Sequence, residues 1–326
     1  MTLPTDRPLT DHEKAMLWQT PSTIPAGIWI LPAAWMKYRK TLHDLTQRQL
    51  TLFATRDDEP DYDNMSSGTY VEGEHVDAWG CVWSNLHTGR EAIVTGHPVP
   101  NRDDVRTLKA PAGDAGLPHG FMYLRLGDLR GFEELMIDFA EEPPELQQLI
   151  DIVLAYNLRQ LDLELAARPG QTQKMFGDDL GTQNALPISP AKWRKYLKPC
   201  YQALYDRCHA AGPTVYMHTD GCIYEIIPDL IECGVNVINP QVRANGLDNL
   251  ARVAKGKVCI DIDLDRQLFP FATPQQIDDH VREVVEVLGD PAGGLWLHAE
   301  VDDGTPLENI EAICCAIETH REAFSR

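Results

Sequence analysis

The stretch Val215-Tyr-Met-His-Thr-Asp-Gly-Cys-Ile-Tyr-Glu-Ile-Ile-Pro-Asp-Leu230 changes its period midway. Thr214 to Met217 reads as a buried strand. Gly221 breaks the pattern, and Ile223, Ile226, Ile227, Leu230 and Ile231 follow at helical spacing. A strand therefore hands over to a helix at His218-Thr-Asp220-Gly-Cys222. In α/β folds that edge is where ligands bind and catalytic groups collect.

The same arrangement repeats in both directions. Towards the C-terminus, strands are expected at Val235 to Ile238, Val258 to Ile262 and Leu295 to Leu297, with a helix at Leu247 to Ala254. Thr273-Pro-Gln-Gln276 and Thr305-Pro-Leu-Glu308 read as capping boxes that start helices to Leu288 and His320. Towards the N-terminus, Gln173 to Phe176 is a strand, and Ser189-Pro190 caps a helix to Ala211. Phe121 to Leu126 reads as a strand, followed by helices over Leu129 to Glu141 and from Pro144 to Leu165. Gly27 to Leu31 is the first strand, and a helix follows from Trp35 to Ala54. Residues 69–99, rich in aromatic and β-branched residues around Gly73 and Gly80, read as a small antiparallel insertion feeding a strand at Glu91 to Thr95. Residues 1–24 form a polar lead-in with one short helix, while 57–68 and 100–118 are loops.

About eight strands thus alternate with helices, with crossovers long enough for parallel pairing. The fold class this predicts is an α/β (β/α)8 TIM barrel: one domain over residues 1–326, with an N-terminal extension and a small β insertion. A doubly wound open sheet is the competitor. No GxGxxG follows a strand, which argues against a dinucleotide-binding version of it.

Composition narrows the function classes. The chain has 326 residues, 43% hydrophobic, and a formal net charge of −20 without a basic block. Such a field repels a nucleic-acid backbone, so DNA and RNA are not expected partners. No apolar run reaches the roughly 18–20 residues of a membrane helix, and the N-terminus lacks a signal peptide's pattern. A cytoplasmic protein is the expectation. The eight cysteines include no CxxC pair and read as free thiols.

The residues just past the strand ends carry the chemistry. They are Asp178 and Asp179, His218 and Asp220, Asn239 and Gln241, Asp261, Asp263 and Asp265, then His298 and Glu300. In a barrel such groups converge on one face. Each has a plainer use: Asp178 or Asp179 as a loop-fixing carboxylate, His218 as a hydrogen-bonded core histidine, Asn239-Pro240 as a turn. His75, His87, His97 and His119 read as loop residues. One functional reading pairs His218 and Asp220 with Glu300 or His298 as a mixed nitrogen and oxygen metal site. The other uses the same carboxylates, without metal, as general acid and base.

Several of these segments resemble a known family. Phe176-Gly-Asp-Asp-Leu-Gly-Thr-Gln183, His218-Thr-Asp-Gly221 with the run Ile226 to Pro240, and Thr305-Pro-Leu-Glu-Asn-Ile310 are similar to the uroporphyrinogen decarboxylase superfamily. Gly27 to Lys40 and Asp77-Ala-Trp-Gly-Cys-Val-Trp83 look like its methyltransferase-like branch. The resemblance implies a (β/α)8 barrel. The decarboxylases of that family clamp their carboxylates with an N-terminal arginine-rich stretch, whereas Trp29-Ile-Leu-Pro-Ala-Ala-Trp35 has no arginine here. The methylthiol:coenzyme M type of methyltransferase in that family binds zinc through His-x-Cys and a later Cys. This chain offers His218-x-Asp220 and, near the last position, Glu300 or His298.

Oxygen ligands in place of thiolates imply a harder site suited to an ether or phenol oxygen, as in O-demethylases. The resemblance therefore implies a methyltransferase moving a methyl group from a small, O-methylated donor to a corrinoid protein. His218, Asp220 and Glu300 would hold zinc. Asp178, Asp179 and His298 would be catalytic, and Trp29, Trp79, Gln183, Asn239 and Gln241 would contact substrate. The corrinoid would be carried by a partner protein, since no cobalamin-binding Asp-x-His-x-x-Gly occurs. A homodimer is the expected assembly. Two alternatives stand beside this reading. A cofactor-free decarboxylase or lyase of a small carboxylated substrate would need a cationic anchor such as Arg125 or Arg243. A non-catalytic ligand-binding barrel would show binding without turnover.

Overall fold

The computed structural model describes residues 7–49, 51–53, 58–113 and 116–325. Parts of the expected lead-in, first long helix and two loops that fall on residues 1–6, 50, 54–57 and 114–115 lie outside the described residues.

The described strands are β1 (Ala26–Ile30), β2 (Gly73–Val76), β3 (Val82–Asn85), β4 (Ile93–Gly96), β5 (Gln173–Gly177), β6 (Thr214–Thr219), β7 (Val237–Pro240), β8 (Cys259–Asp263) and β9 (Leu295–Val301). Six form one sheet in the order β1-β9-β8-β7-β6-β5, and β2-β3-β4 form a separate small one. The pairings β5–β6, β6–β7, β8–β9 and β1–β9 are parallel. The apolar run Val215-Tyr-Met217 is buried throughout, as is Cys259-Ile-Asp-Ile-Asp263 despite its two aspartates, as parallel strands covered on both faces require. The fold is α/β, of the (β/α)8 TIM-barrel type, with six of its strands in the main sheet. No helix among the described residues is long and apolar enough to cross a membrane.

By internal packing the described residues divide into two compact units. One lies within 74–83 and 93–240 and holds β5, β6 and β7. The other lies within 9–73, 84–92 and 241–326 and holds β8, β9 and β1.

Local signals built most of the helices. Ser189 Oγ accepts the Lys192 amide, and Thr273 with Gln276 closes a full capping box over Pro274–Leu288. That helix buries Ile277, Val281, Val284, Val285 and Leu288 along one stripe. The helix expected from Ser189 to Ala211 is in two pieces, Pro190–Tyr196 and Lys198–Ala211. Pro199, which lacks an N–H and crowds the preceding turn, explains the break at Leu197.

Three expectations are overturned. Phe121 to Leu126 is not a strand, because a helix runs from Tyr123 to Arg130. The buried Asp178 carboxylate accepts the N–H groups of Met122, Tyr123 and Leu124, doing for this helix what an N-cap side chain does. The strand expected at Glu91 to Thr95 is β4 and belongs to the small sheet rather than the main one. The capping box at Thr305 does not form: the last helix is Leu307–His320, with Pro306 at its N-cap and no side-chain cap bond. Thr305 is buried instead, and its carbonyl accepts the Tyr38 hydroxyl at 2.8 Å.

Candidate functional site

In the first unit, three neighbouring strands bring their ends together. Gly177 of β5 is in register with His218 of β6, and His218 with Asn239 of β7. His218 Nδ1 lies 2.5 Å from Asn239 Oδ1. Since an amide oxygen only accepts, Nδ1 carries the proton and Nε2 is left with its lone pair. Asp220 Oδ1 is 3.5 Å from that Nε2.

The turns after β5 and β6 are stitched to each other. The Leu180 amide donates to Thr219 Oγ1 at 3.0 Å, the Gly181 amide to the Asp220 carbonyl at 3.2 Å, and the Cys222 amide to the Thr182 carbonyl at 2.7 Å. Gly221 has φ +85°, and a Cβ there would run into the Gly181 carbonyl group. Only glycine suits both the conformation and the approach.

His119 completes the arrangement from a distant part of the sequence. Its Nε2 donates to Asp179 Oδ1 at 3.1 Å, and the Asp220 amide donates to the same oxygen at 3.0 Å. The His119 and His218 rings are 5.5 Å apart between centroids. The His119 ring lies over Gly177, where a Cβ would come within 2.6 Å of His119 Cδ2. The side-chain ligand atoms of His119, Asp179 and His218 all lie within 4.8 Å of one another.

The two neighbouring carboxylates have opposite electrostatics. Asp178 is fully buried, and burial pushes its pKa up despite hydrogen bonds from Tyr201 and the backbone. It accepts the Tyr201 hydroxyl at 2.6 Å as well as three amides. Burial also pushes Asp179 up, but the His119 hydrogen bond and charge, the Asp220 amide and nearby His218 outweigh it, so its pKa is lowered. Asp178 is thus committed to the backbone, whereas Asp179 stays charged and reaches the histidines. Cys222 is buried, and burial raises its thiol pKa, with the Glu225 charge adding to the effect.

The group fits a divalent cation chemically. Two imidazoles and a carboxylate are a common hard-to-borderline donor set, and zinc takes them at about 2.0–2.2 Å. The Asn239 hydrogen bond to Nδ1 of His218 is the outer contact that ligand histidines use to fix tautomer and ring direction.

The second unit holds the remaining candidates. Arg266 ion-pairs with Glu300 through Nη1, and its Nη2 is 3.3 Å from Asp263 Oδ2. His298 on β9 is in register with Asp263, and its carbonyl accepts the Leu264 amide. Gln241 bridges to Asp263, and its carbonyl accepts from Asn245. Trp29 is 61% exposed. Arg243 is paired with Asp265 at 2.8 Å. Of the remaining residues in the first unit, Gln183 is exposed, while Trp79 is buried and lines a cavity of about 160 Å³ with Asp77, Phe121, Arg125 and Tyr156.

His119 is the member of this cluster that the sequence pattern left among the loop residues. It sits in a loop with no periodic neighbours, and its only signal was adjacency to Gly120. The cluster arises because the Gly120 amide donates to the Gly177 carbonyl at 2.8 Å, holding this loop against the end of β5.

Comparison with known proteins adds the following. A family model described as Uroporphyrinogen decarboxylase (URO-D) matches residues 113–320. No curated protein matches the chain significantly. Among solved structures, a methyltransferase from Methanosarcina mazei is similar over 94% of this chain and 97% of its own, with a TM-score of 0.62 and 17% identity. A Yersinia pestis dihydropteroate synthase is similar over 53% of this chain and 63% of its own, at TM-score 0.35 and 16% identity. A chitinase from Chromobacterium violaceum covers 77% of this chain and 90% of its own, at TM-score 0.35 and 11% identity. The last two are too distant to carry an argument. The first speaks for the shared fold.

Proposed function

Because this chain belongs to the uroporphyrinogen decarboxylase family, we propose that it is a metal-assisted methyltransferase, moving a methyl group from a small O-methylated donor to a corrinoid protein. The observation that carries this reading is the group His119, Asp179 and His218, with the His218 tautomer set by Asn239. The Methanosarcina mazei protein that shares this fold is called a methyltransferase, which agrees with it.

His218 Nε2, an Asp179 oxygen and His119, once its Nε2 proton is released, would hold a divalent ion such as zinc. Bound there, it supplies Lewis acidity toward the donor's ether oxygen. In the reaction the methyl carbon would pass to the reduced, Co(I) corrinoid of a cytoplasmic partner protein, whose cobalt supplies the electron pair of the new carbon–cobalt bond. The carbon–oxygen bond breaks, and its electron pair stays on oxygen, which then takes a proton. Asp220, 3.5 Å from His218 Nε2 and 32% exposed in its side chain, would hold or deliver that proton. Asp178 is a positioning residue: through Met122, Tyr123 and Leu124 it anchors the helix start that follows His119.

A second reading has its own observation. A carboxy-lyase acting on a small acid needs a cation at a cavity wall, and Arg125 meets that requirement. The two readings separate on one experiment: metal content by mass spectrometry for untagged protein and for His218→Ala, paired with methyl transfer from aryl methyl ethers to free cob(I)alamin. About one ion per chain, lost with His218, together with metal-dependent methylcobalamin formation, supports the methyltransferase. Carbon dioxide release that survives metal stripping supports the lyase instead.

A further inference from the structure

The cavity of about 160 Å³ in the first unit, whose wall carries Arg125, plays no part in the methyl-transfer mechanism above. Its wall joins three aromatic side chains, Trp79, Phe121 and Tyr156, to the ion pair Asp77–Arg125. Ala78 and Pro118 are exposed and mark its mouth. An apolar cavity of about 150 Å³ holds one benzene ring, so the space is that of a single ring.

The polar wall is unevenly satisfied. Asp77 Oδ1 accepts the amides of Trp79 and Cys81, each at 2.9 Å, while Oδ2 accepts Trp83 Nε1 at 3.1 Å and Arg125 Nη1 at 2.6 Å. Four donors thus occupy its acceptor positions and hold it charged. Arg125 is only 9% exposed. Its Nη1 bonds Asp77 and, at 3.8 Å, Cys81 Sγ, and the nearest other carboxylate, Asp128, is 3.6 Å away. Among the described residues Nε and Nη2 have no hydrogen-bond acceptor, and each keeps some accessible surface. A buried guanidinium with open donors beside an aromatic wall is the arrangement that recognises a planar acid.

We propose that this cavity binds a single-ring carboxylate, with the acid group on the free side of the Arg125 guanidinium and the ring among Trp79, Phe121 and Tyr156. The inference goes beyond the methyltransferase reading and does not need the cation site; it deepens the lyase reading by naming the ligand class, and binding of benzoate without carbon dioxide release separates the two. Pro118 and Phe121 flank His119 in the chain, so a ligand here would lie against the loop that carries that histidine.

Isothermal titration with sodium benzoate tests it, with benzamide as the neutral isostere, on the wild type, Ala78→Trp and Arg125→Gln. The expected result is saturable benzoate binding, at least about tenfold weaker binding of benzamide, and a similar loss with Arg125→Gln. Ala78→Trp fills the mouth from an exposed position, so it should abolish binding while the far-ultraviolet circular dichroism stays unchanged. Absence of benzoate binding to the wild type up to about 10 mM overturns the proposal. Equal affinity for benzamide, or full binding by folded Ala78→Trp, overturns it too. If Arg125→Gln fails to fold, the Ala78→Trp and benzamide arms still decide.

Discussion

His218 donates its Nδ1 proton to Asn239 Oδ1 across 2.5 Å, between residues that are register partners on β6 and β7. This one bond fixes the tautomer and the ring direction of His218. With Nδ1 protonated, the lone pair sits on Nε2, on the side of Asp220. The backbone register and the tautomer are therefore coupled.

That coupling predicts the behaviour of Asn239→Leu. Losing an outer-shell partner typically costs about 10–100-fold in metal affinity while the ligands themselves stay in place. Zinc affinity measured by chelator competition should fall within that range. Affinity equal to wild type would show that Asn239 does not orient His218.

Gly177→Ala should imitate the loss of His119. The added methyl would sit 2.6 Å from His119 Cδ2, so the ring must leave Asp179 or the loop must shift. Overpacking of this kind costs about 1–3 kcal/mol. Metal affinity in Gly177→Ala should drop to the level of His119→Ala, with the melting temperature lowered only modestly. If Gly177→Ala binds metal as wild type does, His119 is not a ligand.

Asp178→Ala should be the most damaging single change at this end of the sheet. It strips an acceptor from three backbone amides and the Tyr201 hydroxyl, all within a fully buried site. Unsatisfied buried donors cost about 1–3 kcal/mol each, so a loss of about 3 kcal/mol or more is expected in urea unfolding. A variant within about 0.5 kcal/mol of wild type would refute the anchoring role.

Asp128 gives a pH dependence with a defined sign. Burial pushes its pKa up to about 6, against the Arg125 charge, with Asp77 and Asp178 adding to the rise. The unfolded value is about 3.9. Between these limits the folded state binds more protons than the unfolded one, so this residue's contribution to stability falls as pH rises from about 4 to about 6. Asp128→Asn removes that dependence. The change in unfolding free energy from pH 4.5 to pH 7.5 should therefore be more positive in the variant than in wild type, by about 1–2 kcal/mol. Identical pH slopes in the two proteins would count against a raised Asp128.

Much of the fold could be read from local pattern. The apolar run before His218, the break at Gly221 and the capping box at Thr273 each act within a few residues, so they place strand and helix without knowledge of the rest. The six strands of the main sheet were legible in this way, as were the polar residues at their ends. Phe121 to Leu126 was not, because its apolar content suits a strand or a buried helix equally. Asp178, distant in sequence, settles the matter by accepting three of its amides.

The site divides along the same line. The chain alone specified that Asp179, His218, Asp220 and Asn239 stand at strand ends, since alternation and turn residues are local properties. Only the tertiary structure decided that His119 joins Asp179 across 60 positions, and that Asp178 serves the backbone while Asp179 faces the histidines. A loop residue has no periodicity to reveal its partner. Its place is set by the long-range bond from Gly120 to Gly177 and by the space that a missing Cβ leaves for its ring.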